Sequence, residues 1–448
     1  MPKDKLSVAI CGGGIGGLVA AIALSKYPDI SVHVYEAKRS FEEVGAGIGI
    51  WPRAWKVLAT LGLAQELLLC TNIEISELLG PSFRFRKGDE REGLDFYTMM
   101  THGRLITLHR ADLQRVLLSH LADKCQITCS KQLSSYEEQE FGPIELSFAD
   151  GTSSTCDVLI GADGIRSGIR SCMLAVQPVQ NFTDQQLAEI GLRPSAIHPI
   201  WTGYTAYRTL ISADRLKQLQ PDHRVFSGPT QYFGHGGCIT AYEVSQGSLV
   251  NFAGFRFRPP NEEHSFSGSP MINQHELAGY FQGWDSEVQA LLEAVESATS
   301  WAIHTVEPLQ TLAVGRVVLL GDAAHGVMPF QGAGAGLAIE GAYTLACLLG
   351  DSRTTVETIP EALKAYDQTI RPLARQAAEA SALNGKYFTL QESVVKVNQD
   401  SARSSDKDRE RLSEVGRLVE VNWQWAWVGN AEDSVQQALS MLSGGSSS

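Results

Sequence analysis

Three short runs hold the residues whose types and spacing could do chemistry. The first, CGGGIGGLVAAIAL, contains Gly12-x-Gly14-x-x-Gly17, with Ile15 and Gly16 inside the turn. In this pattern the first glycine permits a tight turn, the second lets backbone approach a pyrophosphate, and the third lets a helix pack closely. The helix beyond presents unpaired N–H groups and the positive end of its dipole to an anion. Glu36 follows nineteen residues after Gly17, with Ala37 beside it. A carboxylate there can accept hydrogen bonds from a ribose diol and disfavours a 2′-phosphate. The pattern predicts an NAD-like or FAD-like ligand and does not by itself separate the two.

The second run, DVLIGADGIRSGIR (157–170), is a strand ending in Asp163-Gly164. The third, RVVLLGDAAHGVMPFQGAGAGLAIEGA (316–342), is an apolar strand, then Asp322, then a loop with Pro329, Gly332, Gly334, Ala335 and Gly336 that opens a helix. A carboxylate at a strand end is a strong acceptor for hydroxyl donors. His325 is read as a residue that fixes this loop through hydrogen bonds, rather than as a base or a ligand. No second His or Cys lies at ligand spacing from it, and no metal is expected.

The elements that must position these groups follow from periodicity. Leu6–Cys11, the glycine turn, a helix over 18–26 and a strand over 31–35 make a βαβ unit. Helices are expected over 51–70 and 110–121, and strands at 144–148 and 158–160. Between about 182 and 300 short runs such as YTAYRTLI, CITAYEV and SLVNFAGFRF alternate as an antiparallel sheet does. From about 358 onward the chain reads as helical, and the tail SGGSSS (443–448) as disordered.

Composition bounds the partners. The chain has 448 residues, 44% of them hydrophobic, and a net charge of −13. That field disfavours nucleic acid and acidic membrane as partners. The apolar stretch from Val8 to Leu24 is interrupted by glycines and is too short to span a bilayer. MPKDK leads almost directly into the first strand, and a cytoplasmic protein, monomer or homodimer, is expected.

Taken together in this order, the three runs resemble the three fingerprints of the single-component flavoprotein aromatic hydroxylases, the para-hydroxybenzoate hydroxylase group, and most closely its salicylate-hydroxylase-like branch. EVGAGIGIWPRA (43–54), LHRADL (108–113) and WQWAW (423–427) extend the resemblance over nearly the whole chain. It implies an α/β fold: a Rossmann-type FAD-binding domain interrupted by an α+β substrate domain with an antiparallel sheet, plus C-terminal helices. The expected divisions are 1–72, 104–181 and 300–395 for the FAD domain, 73–103 and 182–299 for the substrate domain, and 396–442 for the helical segment.

The resemblance also implies roles. Asp322 would meet the FAD ribityl hydroxyls, with Gly47, Arg110 and Asp163-Gly164 also at the cofactor. Backbone from Gly332 to Gly336 would lie against the flavin, and Pro329 would line the face where oxygen reacts. NADH or NADPH would reduce FAD, and O2 would then form a C4a-hydroperoxide that attacks a small aromatic substrate. Arg208 and Tyr242 would hold the substrate oxygen. Tyr207, His235 and Arg256 are weaker substrate candidates, Arg256 sharing with Arg258 a strand face that reads more readily as a solvated one. Glu243, in AYEV, would place a carboxylate near the pocket. The implied reaction hydroxylates salicylate or 4-hydroxybenzoate with loss of CO2. A monooxygenase that dearomatises or epoxidises a larger natural product is the alternative, and a non-catalytic flavin-binding module a further one.

Overall fold

A computed structural model describes residues 5–41, 46–121, 125–175, 197–258, 269–396 and 406–442. The first residues of EVGAGIGIWPRA and the tail 443–448 lie outside the described residues.

The phosphate turn joins the first two strands of a six-stranded sheet. In spatial order its strands are Ala313–Val314, Val317–Leu319, Val158–Gly161, Leu6–Cys11, Ile30–Tyr35 and Gln126–Thr128. All pairs are parallel except the first. The central strands are continuous apolar runs because they are covered on their faces, by helices and by a three-stranded sheet, Leu133–Glu138, Ile144–Phe148 and Ser153–Cys156, that meets Tyr35 through Phe148 and Ser154. Ile15–Leu24 is buried throughout and packs against the helix Gly334–Gly350. The three chemical runs therefore end at neighbouring strand ends: Cys11 beside Gly161, and Gly161 beside Leu319.

A second, eight-stranded sheet has the order Met271–Asn273, Ser297–Thr305, Ile200–Ser212, Leu249–Phe257, Gly237–Val244, Thr230–Gly234, Leu79–Lys87 and Leu94–His102. It is antiparallel except where Thr230–Gly234 runs parallel to Leu79–Lys87. The hairpin Leu79–His102 supplies two of its strands from far earlier in the chain, and periodicity had not marked it. Helices Ser286–Ala294 and Gln274–Tyr280 cover one face through Phe281, Leu291 and Trp284. The other face looks toward the glycine-rich loops.

From residue 359 onward the described chain is helical, as its pattern predicts: Ile359–Phe388, Asp406–Trp423 and Ala431–Met441. Trp423 and Trp427 leave this segment to pack on Trp51, at centroid distances of 5.1 and 5.3 Å. Among the described residues no helix is long and apolar enough to cross a membrane.

Candidate active site

The glycines of the phosphate turn are there for measurable reasons. Gly12 has φ +113°, and a Cβ on it would sit 2.1 Å from the Ala162 carbonyl oxygen. A Cβ on Gly17 would sit 2.0 Å from the Gly12 oxygen. Gly14 is different, because a Cβ there meets nothing within 4 Å. The space over Gly14 is open cavity, and no side chain caps the helix that starts at Ile15. This is a cradle shaped for an anion approached by backbone. Glu36 stands beside it, its carboxylate accepting from Gly13 N and Lys38 N, both at 2.8 Å. A carboxylate has further lone pairs for a diol.

One cavity of about 400 Å³ runs from this turn to the second sheet. Along it lie Gly14 to Gly17, Gly164, Asp322, Gly47, Arg110, Pro329, Gly332, Gly334 and Ala335. Gly336 sits just behind, against the Ala54 methyl. Asp322 is exposed to the cavity at the start of its short helix, and Gly321 before it takes φ +64°. Asp163 is not on the wall. Its carboxylate caps the helix Gly168–Ala175 by accepting from Ile169 N at 3.2 Å.

The loop Pro329–Gly332 is a turn closed by Gly332 N donating to Pro329 O at 3.0 Å. Its carbonyl at Gln331 accepts from two indoles, Trp51 Nε1 at 2.9 Å and Trp423 Nε1 at 2.7 Å. The Gln331 side chain is held as well, accepting from Trp425 Nε1 and donating to Asn422 O. Two of the tryptophans in WQWAW thus pin the loop that faces the cavity. His325 does not do this work. It is buried, and neither ring nitrogen makes a hydrogen bond. The loop is fixed instead by the indoles, by Thr305 Oγ1 on Gly326 O and by Ser381 Oγ on Met328 O.

At the sheet end, strand alternation decides which residues enter. Arg208 and Tyr242 line the cavity. Tyr207, one residue from Arg208, turns to the opposite face and stacks on Tyr280 at 5.0 Å. Arg256 lies on that same far side, over the Tyr280 ring at 4.6 Å. His235 is drawn to Asp89, whose Oδ2 meets its Nδ1 at 2.6 Å and its backbone N at 2.8 Å. Glu243 alternates away from Tyr242 and does not line the cavity. None of these four reaches the pocket: Tyr207, Arg256 and Glu243 because residues one apart on a strand face opposite ways, and His235 because it sits in the turn beyond Gly234, held by Asp89.

Arg208 has no carboxylate partner among the described residues. Burial depresses its pKa, offset in part by Tyr242. Burial raises Tyr242 to about 12 while the Arg208 charge pulls it back, so Tyr242 is a neutral phenol at physiological pH. Three further residues join them that sequence reading had missed: Gln231, Thr240 and Asn251. Thr240 and Tyr242 are two apart on one strand, the period-2 signal that could have found the first. Asn251 Oδ1 accepts from Gly47 N at 2.9 Å, tying the sheet to the cofactor-side loop. Phe83, Phe255, Phe388 and Trp423 supply apolar walls.

Comparison with known proteins agrees with this geometry. A family profile described as FAD binding domain matches residues 5–235 and 255–381. A salicylate hydroxylase of Pseudomonas putida is 31% identical over 448 residues, covering 98% of this chain and 96% of that protein. A 3-amino-4-hydroxybenzoate 2-monooxygenase of Streptomyces platensis is 33% identical, covering 87% of this chain and 90% of its own. Among solved structures, a salicylate hydroxylase substrate complex superposes with a TM-score of 0.77 at 26% identity, covering 97% and 98% of the two chains.

Proposed function

This chain belongs to the FAD-binding-domain family, among the single-component FAD-dependent aromatic monooxygenases of salicylate hydroxylase type, and from that premise we propose that it hydroxylates a small phenolic acid with release of CO2. The observation that carries the substrate reading is Arg208, a half-buried guanidinium facing the cavity with no carboxylate beside it among the described residues. A buried cation without a partner is costly, and an anionic ligand removes that cost.

Bound FAD supplies electron transfer from NADH or NADPH and the activation of O2. The residues around Gly14 and Glu36 would hold its diphosphate and ribose, and Asp322, Arg110, Gly47 and the backbone of 332–336 its remaining length. Asp163 and Gly164 would stand behind that binding, Asp163 by fixing the helix start and Gly164 at the wall. The helix starting at Gly334 has no side-chain cap, so its N-terminus favours negative charge developing nearby.

Arg208 and Tyr242 hold the ring. A phenol ordinarily titrates near 10, so ionising it near neutral pH takes roughly 4 kcal/mol of differential stabilisation. The Arg208 charge and a hydrogen bond donated by the Tyr242 hydroxyl act in that direction. An ionised phenol is electron-rich at its ortho and para carbons. Where one of these carries a carboxylate, oxygen transfer to that carbon breaks the bond to CO2. Pro329 and the pinned Gln331 loop close the opposite side and exclude water.

The test is a panel of hydroxybenzoates given to the FAD-loaded protein with NADH and with NADPH, scored for product mass and CO2. Salicylate yielding catechol, or 4-hydroxybenzoate yielding hydroquinone, is the expected result. Oxygen uptake without a hydroxylated product from any phenolic acid would remove the substrate reading.

A further inference from the structure

The rung of the second sheet that carries Arg208 continues across it. Arg208 pairs with Ala253, Ala253 with Thr240, and Thr240 with Gln231. All four line the cavity. Strands stand about 4.8 Å apart, so the rung extends about 14 Å, with a single methyl at Ala253 keeping its middle low. One end is a cation and the other is neutral. Thr240 Oγ1 donates to Gln231 Oε1 at 2.5 Å, and Gln231 Nε2 donates to Tyr232 O at 3.4 Å. That second bond sets which way the amide points. The one proton of Thr240 is therefore committed, and lone pairs are what its oxygen offers the cavity.

We propose that Thr240, oriented by Gln231, is a second binding station, for a hydroxyl or amino group carried across the ring from the substrate's anionic group. The inference rests on the reading of Arg208 as the anion's partner and narrows it to aromatic acids with a hydrogen-bond donor at the far side. The lengths agree. A phenolate with a para donor and a hydrogen bond at each end spans about 11 Å. The backbones of Arg208 and Thr240 are two strand spacings apart, about 10 Å, and those of Arg208 and Gln231 three. A ring lying between the two ends rests over Ala253, with Phe255 one step along the same strand face.

The experiment compares salicylate with 5-aminosalicylate, which differs only by an amino group para to the hydroxyl. Each is titrated into the FAD-loaded protein, and Kd is read from the perturbed flavin absorbance. The expected Kd ratio favours 5-aminosalicylate about 5- to 10-fold, the worth of one added hydrogen bond. Thr240→Val should bring the ratio near one. Thr240→Ser should keep it, and Gln231→Leu should reduce it by freeing the Thr240 hydroxyl to turn. Flavin content of each variant reports folding. A ratio near one in the unaltered protein, or one that survives Thr240→Val, overturns the station. Arg208→Gln separates this from the parent reading: if it leaves both Kd values unchanged, the anion reading falls, whatever Thr240→Val does. Binding of neither acid overturns both.

Discussion

The eight-stranded sheet carries buried cations in two places, and they live by opposite rules. Toward one edge, Arg86 meets Asp285 and Asp95, Arg224 meets Glu287 and Asp95, and Lys87 meets Asp89 and Glu90. Asp89 also takes His235, and Tyr232 donates to Glu287. Arg86, Arg224 and Lys87 each have two carboxylates. Four strands farther across, Arg208 has none among the described residues and looks into the cavity. A paired charge secures its neighbours. An unpaired one is poorly placed until something anionic arrives, and that marks a binding site.

The largest expected effect breaks the comparison at its unpaired end. Arg208→Gln should lower kcat/KM for a hydroxybenzoate about 1,000-fold, from roughly 4 kcal/mol lost on removing one partner of a buried ion pair. Its melting temperature should stay level or rise slightly, because no internal partner is abandoned. A large drop in melting temperature with activity kept would mean that Arg208 is structural after all.

The paired end should respond the other way. Arg86→Met leaves Asp285 buried without its cation, although Asp285 still caps the helix Ser286–Ala294 through Val288 N. Orphaning such a carboxylate costs about 3 kcal/mol. We expect an earlier urea midpoint with KM for the phenolic acid little changed. A KM shift matching that of Arg208→Gln would make the two groups one functional network.

This contrast also explains what could be read in advance. The phosphate turn, Glu36 and the strand ends at Asp163 and Asp322 were legible because each is local: a glycine with positive φ, a short run, a nearby partner. The eight-stranded sheet was legible as alternation but not as a surface. Choosing Arg208 over Tyr207 needs the face that helices Gln274–Tyr280 and Ser286–Ala294 cover. Gln231, Thr240 and Asn251 meet only through cross-strand register. His235 looked available until Asp89, nearly 150 residues earlier, came to lie against it. His325 looked like a loop fastener, and indoles from residues 51 and 423 do that instead.

Those indoles give an intermediate case, a polar group satisfied by neutral donors. Trp423→Phe removes one of two hydrogen bonds on the Gln331 carbonyl, about 1 kcal/mol. The loop at Pro329 should hold its position less often, and the hydrogen peroxide formed per NAD(P)H consumed should rise about 5-fold. Peroxide yield assayed beside product yield checks this; an unchanged ratio would show that Trp51 alone suffices.

The smallest effect is a titration. Burial raises Tyr242 to about 12 and the Arg208 charge only partly opposes it. The folded value lies above the ordinary tyrosine value of about 10, so the contribution to stability is complete below that pH and is lost as pH climbs through about 12. Tyrosinate absorbance, taken as the difference between the native protein and Tyr242→Phe, should show no ionisation of this residue at pH 9. In Arg208→Gln it should move further up, because the lowering charge is gone. Ionisation near or below the ordinary value would mean that Arg208 holds the Tyr242 oxygen as its own counter-ion. The cation would then be paired like those at the sheet edge, and the reason for expecting an anionic substrate would disappear with the contrast.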